Sequence, residues 1–355
     1  MSKQKKLRIA IVAPPFGPWG GPEVLVQNLT EALVKKGVDV TLFAPRDWKT
    51  SAKHIPTLEK SLWNMKNFAD QSTKIRRNLI IESQLKVLFS KKKFDIIHFH
   101  SQRYAYLIGK FSNAPCVLSY HNKITEPEFI QIKRANIFAV SLSRSQKNGY
   151  QTSATIWNGI PVSKIEPSYQ PGKYLIAIGR LDDQKGIDTA IQIAKRAKKK
   201  LLIFGRIGLS EKRQAYFRTK IKPHLDGAMV VHMGEVPNSR IFDYLRDAEA
   251  LLFTIRRPEV CPMVIMEALA CGTPVIGTKI NPLPELLKNN KKICRLSNDA
   301  RELVKVVREA SQFDRKKCRE YAEKNFDSSV MAEKYIELYN KIIITLSENN
   351  NPLTS

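Results

Sequence analysis

The sequence predicts an α/β protein built from two doubly wound, Rossmann-like domains. Short apolar runs alternate with longer amphipathic segments from one end of the chain to the other. The short runs are apolar on both faces, as in parallel strands that helices cover on both sides. This alternation pauses once, at residues 159–173, and then resumes with a new strand. Doubly wound sheets bind their ligands beyond the carboxyl ends of the strands, so functional residues are expected there.

The first predicted domain spans residues 1–165 and begins with a strand followed by a helix. This helix is predicted over Glu23–Lys36, with Leu25, Leu29, Ala32 and Leu33 on one apolar face. Residues 47–73 have no clean period, which predicts an irregular, mobile excursion. The predicted strands of this domain are Ile9–Pro14, Val38–Phe43, Ile96–His100, Cys116–Tyr120, Ile137–Ser141 and Thr155–Trp157.

The second predicted domain spans residues 166–327 and follows a segment rich in proline, glycine and polar residues. That segment, GIPVSKIEPSYQPGK, is typical of an interdomain linker. A last amphipathic helix is predicted over residues 328–346. The predicted strands of the second domain are Leu175–Ile178, Leu201–Phe204, Met229–His232, Leu251–Thr254 and Pro274–Gly277.

The composition favours a folded cytoplasmic protein. The 355 residues suffice for two cores, and 43% of them are hydrophobic. Five cysteines without CxxC spacing indicate reduced thiols rather than a disulfide framework or a zinc site. The basic start leads into a short strand-like run and no cleavage site follows, so neither secretion nor a membrane span is predicted.

The net charge of +26 is the unusual bulk property of this chain. It favours polyanionic partners: nucleic acid, anionic lipid or phosphorylated small molecules. No groove-reading motif or mixture of aromatic and basic residues accompanies the charge, so no specific nucleic-acid partner is expected. A solvated surface is one interpretation, and peripheral attraction to the inner face of an anionic membrane is the other. The basic clusters at residues 74–77 and 91–93 suggest the latter.

Two glutamates in RPEVCPMVIMEALACGTPVI form the most informative local pattern. Seven residues separate Glu259 from Glu267, across a predicted loop that enters a helix. Pro262 suits the first helical position, and Gly272 is expected to end the helix. Two carboxylates near free backbone N–H groups suit a polyol such as a sugar or ribose. The alternative is that Glu259 only complements the helix end and that Glu267 is solvated or salt-bridged.

Two loops could hold phosphate groups. In IAIGRLDDQKGID a strand ends before Arg180, and Lys185 precedes the next helix. Together the two cations could clamp a diphosphate, or they could be ordinary surface charges of a basic protein. In PPFGPWGGPEV, Gly20 and Gly21 permit close backbone approach at a helix N-terminus, although the pattern is neither a dinucleotide fingerprint nor a P-loop.

His121 follows a predicted strand of the first domain, where an active-site side chain is expected, although a lone histidine is more often structural. No Asp-x-Asp triplet and no H-E-x-x-H spacing occur in the sequence. We therefore expect no metal, so that neutralising a diphosphate would depend on Arg180 and Lys185.

Six motifs in order give the chain a family resemblance. They are GGPEV, DIIHFH, SYHNK, WNGIPV, GRLDDQKG and the E-x7-E segment with A-x-A-x-G-x-P-V-I after it. In this order they resemble the GT-B glycosyltransferases of family 4, which are retaining, metal-independent enzymes that use nucleotide sugars. The closing segment, FDSSVMAEKYIELY, also resembles the last helix of this family. The resemblance implies two domains facing a cleft, with this last helix crossing back to the first domain.

The resemblance also implies roles for particular residues. Arg180 and Lys185 would hold and stabilise the leaving diphosphate, Glu267 would bind the ribose hydroxyls, and Glu259 would bind the transferred sugar. His121 would touch that sugar near the reacting carbon. The remaining donor contacts implied are Gly20 and Gly21, Gly205 and Arg206, Val236, and the stretch of Cys261, Met263 and Val264.

The implied activity is transfer of a hexosyl unit from a nucleotide-diphosphate sugar to a glycan or a lipid-linked acceptor. No cofactor beyond this co-substrate is expected. A nucleotide-sugar epimerase on the same fold and, more remotely, a basic nucleic-acid-binding protein are the alternatives. The chain departs from the family at Cys261-Pro262, where Phe-Gly is common, so the sugar contacts made there stay open.

Overall fold

The computed structural model describes residues 6–17, 20–68, 71–170 and 172–349. It divides into two compact units. The first unit contains the chain up to Gly159 together with the chain from Ser328 onward. The second unit runs from Ile160 to Asp327, so packing divides the chain slightly before the position that the linker composition suggests.

The first unit is a parallel sheet of seven strands with helices on its two faces. The order β3-β2-β1-β4-β5-β6-β7 reverses direction between β1 and β4. The strands are β1 (Arg8–Val12), β2 (Asp39–Ala44), β3 (Lys53–Pro56), β4 (Ile96–Phe99), β5 (Cys116–Ser119), β6 (Phe138–Ser141) and β7 (Ala154–Thr155). The helices that connect them are α1 (Gly21–Lys35), α2 (Thr73–Leu85), α3 (Gln102–Lys110) and α4 (Glu126–Arg134).

The second unit is a parallel sheet of six strands with the same winding. Its order, β10-β9-β8-β11-β12-β13, reverses direction between β8 and β11. The strands are β8 (Tyr174–Ile178), β9 (Leu201–Phe204), β10 (Val230–Gly234), β11 (Ala248–Phe253), β12 (Val275–Gly277) and β13 (Cys294–Leu296). The helices are α5 (Ile187–Ala197), α6 (Glu211–Tyr216), α7 (Asn238–Arg246), α8 (Met263–Ala270), α9 (Leu283–Leu287), α10 (Ala300–Arg308) and α11 (Arg315–Phe326).

Two doubly wound parallel sheets confirm the predicted fold class. The central strands are buried on both faces because helices cover both sides of each sheet, which is why they read as uninterrupted apolar runs. Ile9, Ile11, Leu175 and Leu251, for example, are fully buried. The core of the second unit packs α5 and α10 onto one face of its sheet.

The last helix, α12 (Ser328–Asn349), packs against α1 and belongs to the first unit. Met331, Tyr335 and Ile342 are buried on its inner face, as their helical spacing predicts. The hydroxyl of Tyr335 lies 2.6 Å from Ser119 Oγ. None of the helices described in the structure is long and apolar enough to cross a membrane.

The prediction of irregular chain over residues 47–73 is wrong at residues 53–56, which form β3 and pair in parallel with β2. Side-chain hydrogen bonds also order this region. Asp47 accepts hydrogen bonds from the backbone N–H of Ser61, at 3.0 Å, and from the side-chain amide of Asn64, at 2.8 Å. These polar contacts leave no hydrophobic period in the sequence, so the pattern could not reveal them. The edge strand β13 was also missed, because Arg295 interrupts its apolar run.

Candidate active site

The carboxyl ends of β8 and β11 define the candidate site of the second unit. These strands are neighbours in the sheet, and the strand order reverses between them. The chain leaves in opposite directions after two such strands, so a crevice opens outside their ends. The loop after β8 carries Arg180 and Lys185, and the loop after β11 carries Glu259.

Lys185 and Glu259 form an ion pair across this crevice. Lys185 Nζ donates a hydrogen bond to Glu259 Oε1, although the two residues are 74 positions apart in the sequence. Their side chains are only 16% and 13% exposed. The ammonium also lies 5.5 Å from the ring centroid of Phe253, the last residue of β11. The two loops therefore place a cation and a carboxylate together in a largely water-excluded position, where charges interact strongly.

Arg180 lies at the tip of β8, and a neighbouring carboxylate orients it. Asp182 accepts a hydrogen bond from Arg180 Nε at 3.1 Å, and Arg213 approaches the same carboxylate at 3.6 Å. Asp182 is buried, and its other oxygen accepts from the backbone N–H of Lys185 at 3.3 Å. A single carboxylate thus fixes the guanidinium and the turn that presents Lys185.

Glycines permit the close approaches that this geometry needs. Gly186 follows Lys185 with φ +62°, and a Cβ there would collide with the carbonyl oxygen of Thr254. Gly205, at the tip of β9, has φ +143°, and its Cβ would collide with the carbonyl oxygen of Gly179. At both positions a side chain is excluded for two reasons: the positive φ disfavours any residue with a Cβ, and the Cβ would have no space. Next to Gly205, Arg206 is exposed, while Val236, in the loop after β10, is half-buried.

Helix α8 presents the second glutamate. Pro262 was predicted at the first helical position, but the helix begins one residue later, at Met263, and Pro262 precedes it with extended ψ of 119°. Cys261 is buried, and Met263 and Val264 in the first turn are half-buried. Gly272 has φ +82° just after the helix, as predicted.

Glu267 is a half-buried carboxyl one turn into α8. Within the described residues, no hydrogen-bond partner of its carboxylate is found, and burial raises its pKa to about 7. Desolvation disfavours the charged form of a carboxyl, and nothing in its surroundings offsets that cost. Its ionised form would gain most from hydroxyl donors supplied by a ligand.

The glycine-rich loop of the first unit follows β1, again at the point where the strand order reverses. Gly20 immediately precedes α1, and a Cβ there would collide with the carboxylate of Glu23. Glu23 is buried in the first turn of this helix, and burial raises its pKa. A Cβ at Gly21 would meet no described atom within 4 Å. Gly21 is therefore open to a close backbone approach, while a side chain at position 20 would have to displace the carboxylate of Glu23.

His121 belongs to a group of three histidines at the ends of β4 and β5. His121 Nε2 lies 3.0 Å from Nδ1 of His100, and the two rings stack at 5.3 Å. His98 lies 4.0 Å from His100, ring to ring, and bonds to Tyr339 of α12 at 2.7 Å and to Ser119 at 2.8 Å. Burial lowers the pKa of His98 to about 3 and that of His121 to about 4. His121 is therefore neutral near pH 7, so it can exchange hydrogen bonds without adding charge.

Acid is expected to destabilise the first unit through these histidines. His98 is neutral in the folded chain, while an unfolded histidine gains a proton below pH 6.5. The stability contributed by the neutral form is present above pH 6.5 and is lost as the pH falls toward 3, by about 1.4 kcal/mol per pH unit. His98→Gln should flatten the fall in unfolding temperature between pH 7 and pH 4.5. The matched change His224→Gln, at a half-buried site of the second unit, should not.

Sequence reasoning missed three supporting residues, two of which, Arg256 and Thr254, carry no recognisable signal in the sequence. Arg256 bonds to Asp183 at 2.7 Å and to Asp188 at 2.6 Å, which ties the loop after β11 to the loop after β8. Thr254 donates its hydroxyl to the carbonyl oxygen of Gly186 at 2.7 Å. Asp182 was visible as the first acid of a DDQK turn, three residues before Lys185, which is a capping spacing.

Models of two protein families match most of the chain. Residues 19–153 match the model of Glycosyltransferase Family 4, and residues 162–325 match that of the Glycosyl transferases group 1. These ranges contain all thirteen of the predicted site residues. Three of them lie in the first unit and ten in the second.

Two curated relatives match the chain at low sequence identity. An uncharacterised 41.2 kDa protein from the cps region of Klebsiella pneumoniae is 24% identical, over 90% of this chain and 96% of that protein. The putative colanic acid biosynthesis glycosyltransferase WcaL of Escherichia coli is 28% identical, over 58% of this chain and 57% of that protein.

Solved structures share the fold at low identity. Sucrose-phosphate synthase from Thermosynechococcus elongatus superposes with a TM-score of 0.72 at 18% identity, over 96% of this chain and 100% of that chain. Anabaena HepE, in complex with UDP and glucose, superposes with a TM-score of 0.69 at 16% identity, over 94% of this chain and 100% of that chain. AviGT4, a glycosyltransferase of avilamycin A biosynthesis, superposes with a TM-score of 0.68 at 18% identity, over 95% of this chain and 98% of that chain. With the family matches over both units, this chain belongs to the GT-B glycosyltransferases of the family 4 type.

Proposed function

We propose that this protein transfers a hexosyl unit from a nucleotide-diphosphate sugar to an acceptor hydroxyl, in the cytoplasm and with retention of configuration. The observation that carries the proposal is the pairing of Lys185 with Glu259 at the reversal point of the second sheet. A cation that can meet a diphosphate stands there beside a carboxylate that can meet sugar hydroxyls. HepE, which shares the fold, is known in complex with UDP-glucose, and this supports a nucleotide-sugar donor.

The cations are proposed to stabilise the leaving group. When the bond between the anomeric carbon and the diphosphate oxygen breaks, negative charge grows on that oxygen. Arg180 is already oriented by Asp182, and Lys185 is largely buried, so both charges are in place before the reaction begins. Preorganised charge of this kind is where an active site contributes most to rate. We propose that these side chains suffice without a metal ion.

The proposed chemical step is a front-face attack. The acceptor oxygen bonds to the anomeric carbon on the face that the leaving diphosphate departs from. Its proton passes to an oxygen of that diphosphate, which acts as the base. Attack and departure on one face retain the configuration, and no carboxylate nucleophile is needed.

Donor recognition is proposed to divide between the two glutamates. Glu267 would accept hydrogen bonds from the ribose hydroxyls, because its carboxylate has no partner among the described residues. Glu259 would accept from the sugar through its second carboxylate oxygen, because Oε1 bonds to Lys185, whose remaining ammonium hydrogens would meet the phosphate. Backbone N–H groups around Cys261, Met263 and Val264 would complete the sugar contacts. Gly205, Arg206 and Val236 would lie along the nucleotide, since they follow the neighbouring strands β9 and β10.

The first unit is proposed to bind the acceptor, a glycan or a lipid-linked glycan. WcaL is named for colanic acid biosynthesis and another relative comes from a cps region, which supports a role in polysaccharide biosynthesis. His121 would contact the transferred sugar as a neutral imidazole, and Gly21 would allow the chain to approach the donor diphosphate closely.

A panel of nucleotide sugars tests this function. One donor is expected to raise the unfolding temperature, and with a polysaccharide-repeat acceptor it should release nucleoside diphosphate and give a product with the donor's anomeric configuration. Activity should persist in EDTA. Conversion of the donor sugar without any acceptor would favour the epimerase alternative, and an inverted product would contradict the retaining mechanism.

A further inference from the structure

Helix α2 exposes both apolar and basic side chains to solvent. Ile75 is 46% exposed, and Phe89, just beyond the end of the helix, is 78% exposed. Between them lies an open groove of about 400 Å³ along one side of the helix. Six residues line it: Asn78, Ile81, Glu82, Leu85, Lys86 and Phe89. We call Ile75, this groove and the basic residues around it the α2 surface.

Among the described residues of the first unit, no element covers the side chains of Ile75 and Phe89, which stay exposed. Ile80, on the inner side of the helix, packs into a cluster with Leu62 and Phe68, and so the helix already has a core-facing stripe. Ile75 and Phe89 lie outside that stripe and keep much of their apolar surface in solvent. Helix α3 packs beside α2 and exposes Leu107 and Phe111 as well. Several large apolar side chains exposed on neighbouring helices are typical of an interaction site.

Basic side chains surround this apolar surface. Glu82 is the single acidic residue in the sequence of α2. The exposed cations are Lys74, Arg77, Lys86, Lys91, Lys92, Lys93 and Lys110. Such a concentration of positive charge repels a second copy of the same surface, and it favours an anionic partner.

We propose that the α2 surface docks the protein on an anionic lipid bilayer. Lysines and arginines would lie at the headgroups, while Phe89, Ile75 and the groove would enter the boundary between the headgroups and the acyl chains. Interfacial helices bind in this way, through a basic face together with an apolar one. A nucleic acid would use the cations but leave the exposed apolar side chains without a role. The inference rests on the proposed function only in that a lipid-linked acceptor would explain the docking.

Vesicle co-sedimentation tests the proposal with the full-length chain. The protein should sediment with vesicles of equal parts phosphatidylglycerol and phosphatidylcholine, and it should stay in solution with pure phosphatidylcholine. The triple variant Lys91→Glu, Lys92→Glu and Lys93→Glu should bind anionic vesicles at least about tenfold more weakly. Phe89→Ser should weaken binding several-fold even at physiological salt, where electrostatic attraction is screened.

Matched controls come from the second unit. Lys195→Glu, Lys198→Glu and Lys200→Glu make the same charge change at exposed sites, and Tyr169→Ser removes an exposed aromatic ring. Both controls should bind vesicles like wild type. Equal loss in the controls, binding to neutral vesicles alone, or full binding by Phe89→Ser together with Ile75→Ser would overturn the proposal. Thermal shift with UDP in the same variants reports on the donor site separately, so the two proposals can fail independently.

Discussion

Replacing Lys185 by alanine is expected to lower turnover by about 10²–10³-fold, because it removes a fixed cation from the position where the leaving diphosphate gains charge. The side chain is largely buried and held by Glu259, so water cannot substitute for it fully. The measurement is kcat with the donor found in the panel, together with the affinity for UDP. Arg180→Ala should act in the same direction but less strongly, because its guanidinium is more exposed.

Two further variants separate the loss of the cation from the loss of its partner. Lys185→Ala leaves a nearly buried carboxylate at Glu259 without its ion pair, which can itself disturb the loop. The double variant Lys185→Ala, Glu259→Gln removes that charge and should remain as slow as the single variant. Lys195→Ala, on the exposed side of α5, is the control for net charge. Near-normal rates in Lys185→Ala would contradict the assignment of the leaving-group site.

Glu267→Gln is expected to weaken UDP binding about 10–100-fold and at the same time to stabilise the protein. The ionised carboxylate is the stronger acceptor for ribose hydroxyls, and Gln lacks that charge. Burial raises the pKa of Glu267 from 4.5 to about 7. Below pH 4.5 the Glu267 carboxyl is protonated in the folded and in the unfolded wild-type chain, so its burial costs no stability. As the pH rises to 7, the unfolded chain releases this proton while the folded chain still holds it, and stability is lost. The free energy of unfolding therefore falls by up to about 3 kcal/mol over this window.

The pH dependence distinguishes this explanation from a general loss of structure. Glu267→Gln should raise the unfolding temperature at pH 8 and leave it nearly unchanged at pH 4.5. UDP should bind wild type more tightly as the pH rises through 7, and the variant should show no such dependence. Glu309→Gln, an exposed site of the second unit, is the control. A variant whose stability profile follows that of wild type would show that Glu267 is not the group that titrates.

The fold class followed from the sequence because a strand buried on both faces leaves an uninterrupted apolar run. Leu175–Ile178 and Leu201–Phe204 were placed almost to the residue for this reason. Short or polar edge strands carry no such signal. β3 contains the polar Lys53 and His54, and β13 has Arg295 at its centre, so both were missed. The helix that begins at Met263 was also placed one residue early, because proline is compatible with either side of a helix start.

The sequence by itself determined that cations and carboxylates lie in loops after the strands of a doubly wound sheet. Motif order then assigned them to a glycosyltransferase. Only the tertiary structure decided that Lys185 pairs with Glu259, that Asp182 orients Arg180, and that Glu267 has no protein partner in the described chain. The physical reason is that these contacts depend on which strands are neighbours: β8 lies beside β11 although 69 residues separate Ile178 from Ala248 in the chain. Burial likewise comes from the packing of distant segments, so no local pattern predicts the raised pKa of Glu267.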